Sequence, residues 1–143
     1  MMIFMDNQKP LTIENRWDVL YRDYPEVYEE FGRVPYKPAL PSKLNNWFHL
    51  CSKHILDVGS GTGLSTFDLA SYAYRVAGLE PEPGMLDIAN QSSHTQGIEN
   101  VQFVCGRAED VLLKDSSVEL VTAITLASLY TEENIRAFVS QAE

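Results

Sequence analysis

From residue 54 onward, short apolar runs alternate with segments in which apolar side chains return every three or four positions, the pattern of strands exchanging with amphipathic helices. His54 to Val58 predicts a first strand. Leu64, Phe67 and Ala70 follow at helical spacing, so a helix is expected to begin near Thr62 and to bury those three. Arg75 to Leu79 predicts a second strand and Val101 to Cys105 a third. Between them, Pro83 suits the first turn of a helix that turns Met85, Ile88 and Ala89 inward. Val118 to Thr125, apolar on both faces, predicts a fourth strand suited to a sheet interior. Thr131 can cap a last helix. There Glu132 and Glu133 complement the helix dipole, and Ile135, Phe138, Val139 and Ala142 form a buried stripe.

The opening segment has a different texture. Pro10, Pro25, Pro35, Pro38 and Pro41 divide it into short amphipathic pieces, with Trp17, Leu20 and Tyr21 at helix spacing and Val27, Tyr28 and Phe31 at helix spacing again after Pro25. Residues 1–50 therefore read as an appended helical cap and residues 51–143 as the strand–helix core. Right-handed crossovers order the strands 3-2-1-4 in a mostly parallel, Rossmann-like α/β sheet flanked by helices. The chain reverses direction between strands one and four, which locates a ligand crevice at the carboxyl ends of the strands.

The chemistry concentrates at that edge. Ile55-Leu56-Asp57-Val58-Gly59-Ser60-Gly61-Thr62-Gly63 is an apolar strand with one acid near its end, breaking into alternating glycines. Residues without a Cβ let a backbone turn sharply while a ligand lies against it. Glu80 ends the second strand, where a ribose diol is usually held. A dinucleotide fingerprint is disfavoured, because its third glycine falls on Leu64, or on Thr66 if the count begins at Gly61. Asp57 would also repel a pyrophosphate and would suit an ammonium group.

Asp57 through Gly63 resembles motif I of the class I S-adenosylmethionine-dependent methyltransferases. Glu80 through Leu86 resembles the acidic junction after that family's second strand. Gly106-Arg107-Ala108-Glu109-Asp110 is similar to its adenine-contacting segment, and Val118 through Ile124 to its fourth strand, with Val118 and Glu119 where Phe and Asp are usual. The resemblance implies S-adenosylmethionine as cofactor. Asp57 would hold its ammonium, while the backbone of Gly59, Ser60, Gly61 and Gly63 would lie along it. Glu80, followed by Pro81, would take the ribose hydroxyls and Met85 would pack on adenine. Ala108 and Glu109 would bracket the adenine edge, with Thr125 at the end of strand four. The cap aromatics Trp17, Tyr21 and Tyr28, and Tyr130 and Ser128 after strand four, become acceptor-site candidates, although aromatic residues at that spacing are more often core. Methyl transfer from a sulfonium needs alignment more than catalytic side chains, and no general base stands out. The family's fold continues past a fourth strand. The chain thus reads as the first part of an incomplete core, its strand-four edge expected to pair with a second copy or a completing chain.

Composition narrows the partners. Eleven basic against twenty acidic residues give a formal charge of −9, which disfavours nucleic acid and favours a small-molecule acceptor. With 45% hydrophobic residues the chain can bury a core, and no segment reads as a membrane span. Cys51 and Cys105 lack metal-ligand spacing and read as buried thiols in a reducing cytosol. His49, His54 and His94 are isolated, so no metal site is expected, and Glu26, Glu29 and Glu30 read as a solvated helix face. Two other readings stay open: a cofactor-binding module without catalysis and, further off, a nicotinamide-dependent oxidoreductase.

Overall fold

The computed structural model describes residues 22–33, 39–108 and 117–124, with the side chains of residues 31–33 outside that description. Two helices, α1 (Pro25–Arg33) and α2 (Ala39–Phe48), precede a short 3-10 turn at Leu50–Ser52. The core follows as β1 (His54–Val58), α3 (Leu64–Ala70), β2 (Arg75–Glu80), α4 (Pro83–Gln96), β3 (Val101–Cys105) and β4 (Leu120–Thr122). The four strands form one sheet in the order β3-β2-β1-β4, and every pairing is parallel. This is the expected topology, and it places the reversal between β1 and β4.

Alternation along each strand sorts the core into two layers. Ile55 and Val76 point to the face covered by Leu69, Ala70 and Ala73, and Leu50 joins this cluster with Leu44 of α2 packed against it. Leu56, Val58 and Leu79 point to the other face, with Ala108, Val118 and Val121. The sequence boundary between residues 50 and 51 thus falls inside one hydrophobic cluster. Pro83 opens α4 as expected. Gly97 closes that helix in the left-handed conformation at φ 65°, where its N–H donates to the carbonyl of His94.

Several expectations are corrected. The fourth strand is Leu120–Thr122, not Val118 to Thr125. At its start the Glu119 carboxylate accepts the His54 N–H at 2.7 Å, filling the position where a longer ladder would need a backbone carbonyl. Thr125 and the helix expected from Thr131 lie outside the described residues. The second strand runs one residue further, through Glu80. Helix α3 begins at Leu64 and buries Ser65, Thr66, Leu69 and Ala70, leaving Leu64 and Phe67 half-buried. A polar contact described below turns that helix. Ile88 is likewise only half-buried. Cys51 and Cys105 are both exposed free thiols, one in the 3-10 turn and one on the outer strand β3.

The sheet carries a notch at Gly78. A Cβ there would lie 2.7 Å from the ring of Phe103 and 2.9 Å from Ser60 Cβ. Phe103 fills the notch and meets Phe67 of α3 edge-to-face, with ring centroids 5.6 Å apart. Gly78→Ala is expected to destabilise the fold by about 1–3 kcal/mol through overpacking, and Phe103→Leu in the same chain to recover part of that loss. Urea unfolding of the two variants and the parent measures both; no recovery would mean that the strain is not at Phe103.

Candidate functional site

The carboxyl ends of β1 and β2 form a tight double turn. The N–H groups of Gly59 and Ser60 both donate to the carbonyl of Leu79, at 2.8 and 3.1 Å, binding the loop after β1 to the end of β2. Gly63 N–H then donates to Ser60 O at 2.9 Å, and Phe67 N–H to Gly63 O at 2.8 Å opens α3. Gly59, Gly61 and Gly63 all have positive φ, at 71°, 55° and 94°. The last two differ in what demands glycine. A Cβ on Gly63 would come within 2.9 Å of the Phe67 and Phe103 rings, so that position answers to internal packing. Among the described residues, a Cβ on Gly61 would meet only the Tyr28 ring of α1, at 3.6 Å. Position 61 has the room, and its left-handed backbone is the constraint.

Asp57 is the anchor beneath this loop. Its side chain is 1% exposed, and both oxygens are engaged. Oδ2 accepts from Ser65 Oγ and Thr66 Oγ1, each at 2.8 Å, and Oδ1 accepts from Thr122 Oγ1 at 2.8 Å. Asp57 and Thr122 are register partners across β1 and β4, so the pairing brings that hydroxyl to the acid. In this conformation the carboxylate joins β1, β4 and the first turn of α3. These hydroxyls also set the rotation of α3, drawing Ser65 and Thr66 inward where Leu64 and Phe67 were expected. Burial pushes the Asp57 carboxyl above its usual range despite three hydroxyl bonds that act the other way.

Glu80 is the last residue of β2, two positions beyond Gly78, the register partner of Asp57, and faces a different environment. It is 8% exposed; Oε2 accepts from Gly61 N–H at 3.0 Å and Oε1 from Glu82 N–H at 3.0 Å. Each oxygen has one backbone donor, which leaves lone pairs for two more. Desolvation raises its carboxyl above the usual range, against the pull of those two amides. Gly106 N–H donates to the Glu80 carbonyl at 3.2 Å, bringing the start of the segment after β3 to the same place.

The other expected residues are placed as follows. Ser60 is buried, and its Oγ has no hydrogen-bond partner among the described residues. Pro81 is exposed beside Glu80, and its carbonyl lies 3.7 Å from Cys105 Sγ. Met85 is fully buried on α4 and offers little free surface to a ligand. Ala108 is buried against the second core layer. Tyr28 reaches the glycine loop through Gly61. Trp17, Tyr21, Glu109, Thr125, Ser128 and Tyr130 lie outside the described residues. His54 is not isolated: its N–H and Nδ1 both face Glu119, and its ring meets Tyr74, at the opposite end of the strands from the loop. Among the described residues, no group of His, Cys, Asp or Glu is placed to hold a metal ion. No helix there is long and apolar enough to cross a membrane.

A sheet reversing at β1 and β4, a left-handed glycine turn and a sheltered acid at the end of β2 define a nucleoside-binding, Rossmann-like unit. A methyltransferase domain model matches residues 55–143, more than half of the chain. The chain belongs to this methyltransferase domain family, the class I S-adenosylmethionine-dependent type. A Dictyostelium discoideum protein named as a methyltransferase is 25% identical over 134 residues, covering 94% of this chain and 47% of that protein. The human tRNA (uracil-5-)-methyltransferase homolog A is 34% identical over 100 residues, covering 69% of this chain and 16% of that one. The solved structure of a Methanococcus maripaludis protein named as an S-adenosyl-L-methionine-dependent methyltransferase has the same fold. Its TM-score is 0.76 at 15% identity, with 98% of this chain and 61% of that chain covered. The chain thus spans less than two thirds of the length of each of these proteins.

The residues present fit the family's cofactor. The left-handed backbone at Gly61, the Ser60 hydroxyl with no partner among the described residues and the spare acceptor capacity of Glu80 all lie in the one double turn. Sequence reasoning missed the polar props of that turn, Ser65, Thr66 and Thr122. The available signal was a cluster of hydroxyls just past the glycines, together with a threonine that strand register sets opposite Asp57.

The two raised carboxyls fix the sign of the pH dependence. A folded-state value above the unfolded one means that the folded chain holds protons the unfolded chain has released. Stability is therefore expected to fall as pH rises from the ordinary carboxylate range, about pH 4, through the raised values of Asp57 and Glu80. Thr122→Val removes a donor that favours ionised Asp57. It should cost about 1–3 kcal/mol near neutral pH and less as the pH drops and Asp57 becomes protonated. Unfolding curves for parent and variant across that range check both signs, and a penalty independent of pH would remove Asp57 as its cause.

Proposed function

We propose that this chain binds S-adenosylmethionine at the double turn after β1 and β2 and transfers its methyl group to a small-molecule acceptor. The observation that carries the reading is Glu80, a sheltered carboxylate fixed by the Gly61 and Glu82 amides with acceptor capacity to spare. In this reading Glu80, in its ionised form, accepts the two ribose hydroxyls, each a charge-assisted hydrogen bond. The glycine turn gives the rest of the cofactor close backbone approach, and Asp57 supports the turn from below. The cofactor supplies an already activated methyl on a sulfonium. The chain's part is to hold the acceptor in line with it and to keep water out.

The formal charge of −9 supports a small acceptor over a polynucleotide. The likeness to a relative named for tRNA favours the competing reading, so the acceptor test includes tRNA. Exposed free thiols at Cys51 and Cys105 support a reducing, cytosolic setting. Among the described residues no strand pairs with the outer edge of β4, and we propose that a second copy or a completing chain covers it, since an uncovered parallel edge is an aggregation hazard.

Isothermal calorimetry with S-adenosylmethionine, S-adenosylhomocysteine and NAD separates the cofactor readings. Binding is expected for the two adenosyl ligands only, and Glu80→Ala is expected to weaken it about 10- to 100-fold. Tight NAD binding would overturn the assignment. Transfer of labelled methyl from S-adenosylmethionine to a small-molecule extract or to bulk tRNA then discriminates the acceptor class; binding without transfer to either would favour the non-catalytic module.

A further inference from the structure

Helix α1 meets both turns that frame the proposed cofactor site. Pro25 Cγ lies 3.2 Å from where a Cβ on Gly84 would stand, just after β2, and Tyr28 lies 3.6 Å from the corresponding point on Gly61. Next along α1, the carboxylate of Glu29 accepts a hydrogen bond from Thr62 Oγ1. Thr62 is 3% exposed and Glu29 is half-buried, whereas its neighbours Glu26 and Glu30 are exposed. Glu29 therefore departs from the solvated face that the charge pattern suggested. Thr62 also sits between two left-handed glycines, a stretch with little stiffness of its own. From below, the loop is held by the Leu79 carbonyl; from above, the hydroxyl–carboxylate bond ties it to a helix 33 positions away in sequence.

We propose that Glu29 is a positioning residue for the glycine turn. Its bond to Thr62 couples the docking of α1 to the shape of the loop that admits the cofactor. The second half of this statement rests on the S-adenosylmethionine reading given above; the first half does not. When α1 is docked, the loop is clamped between the helix and β2, and a bound cofactor leaves slowly. When the bond is removed, helix and loop loosen together.

A double-mutant cycle on Glu29→Ala and Thr62→Val tests this with two readouts. The first is hydrogen exchange of the residue 25–33 amides in the ligand-free chain, with the β1 and β2 amides as the control for an intact fold. The second is the dissociation rate of S-adenosylhomocysteine measured by displacement. Each single variant is expected to speed both about tenfold, and the double variant by less than the product of the two, because the Glu29–Thr62 bond is lost in each. Glu29→Gln keeps a carbonyl acceptor for the hydroxyl and is expected to recover most of the protection. Effects that add in the double variant, or exchange at residues 25–33 that does not change while β1 and β2 stay protected, would overturn the proposal. If the parent chain binds neither adenosyl ligand, the cofactor reading fails, and the exchange cycle alone still decides whether Glu29 and Thr62 act as one unit.

Discussion

The buried carboxylate of Asp57 is the constraint around which this end of the molecule is arranged. Removing a charge from water costs several kcal/mol unless the environment supplies donors, and three hydroxyls do so here, two from the first turn of α3 and one from β4. Because these donors come from α3 and β4 while the acid is on β1, satisfying one acid fixes three elements at once. Helix α3 is rotated by it, β4 is brought into register against it, and the glycine turn that connects β1 to α3 has its two ends set. The turn then has no need of rigid residues, and its glycines can take conformations that other residues reach only at a cost.

Packing completes what that polar cluster begins. Phe103 on β3 lies in the notch of Gly78 and against the positions of Gly63 and Phe67, so an outer strand reaches across β2 to the turn after β1. The loop is thus defined from three sides: by hydroxyls at Asp57, by the Leu79 carbonyl that takes two of its amides, and by an aromatic ring. A preorganised turn of this kind presents its backbone to a ligand without first paying to order it.

Much of this architecture is legible in the sequence, and what is not has identifiable causes. Strand order, the crossovers and the crevice follow from apolar periodicity and the handedness of βαβ units. Periodicity misjudged α3, because it counts only apolar side chains, and the inward face of that helix was chosen by two hydroxyls seeking a buried acid. It overran β4, because Val118 and Glu119 look like strand residues, while the Glu119 side chain takes the donor that an extended ladder would use. It placed Glu29 in water, because a local charge cluster cannot reveal a partner 33 positions away. The cysteines were misread because residue type was weighed above position: the order 3-2-1-4 already set β3 at one end of the four strands, and Cys105, its last residue, is exposed there.

Asp57 and Glu80 show why residue type alone does not assign a role. Both are acids at or near the ends of adjacent strands, both are sheltered, and burial raises both above the usual carboxylate range. Their donors separate them. Asp57 is met by three side-chain hydroxyls that belong to other elements of the fold, which makes it a structural joint. Glu80 is met by two backbone amides of the turns that frame the crevice, one per oxygen, and keeps acceptor sites for a further pair of donors. A vicinal diol offers such a pair, and a pyrophosphate offers none. The proposed ribose contact at Glu80 is consistent with these free acceptor sites, and a phosphate group would be repelled from the same spot. This electrostatic preference agrees with the glycine spacing that disfavoured a dinucleotide.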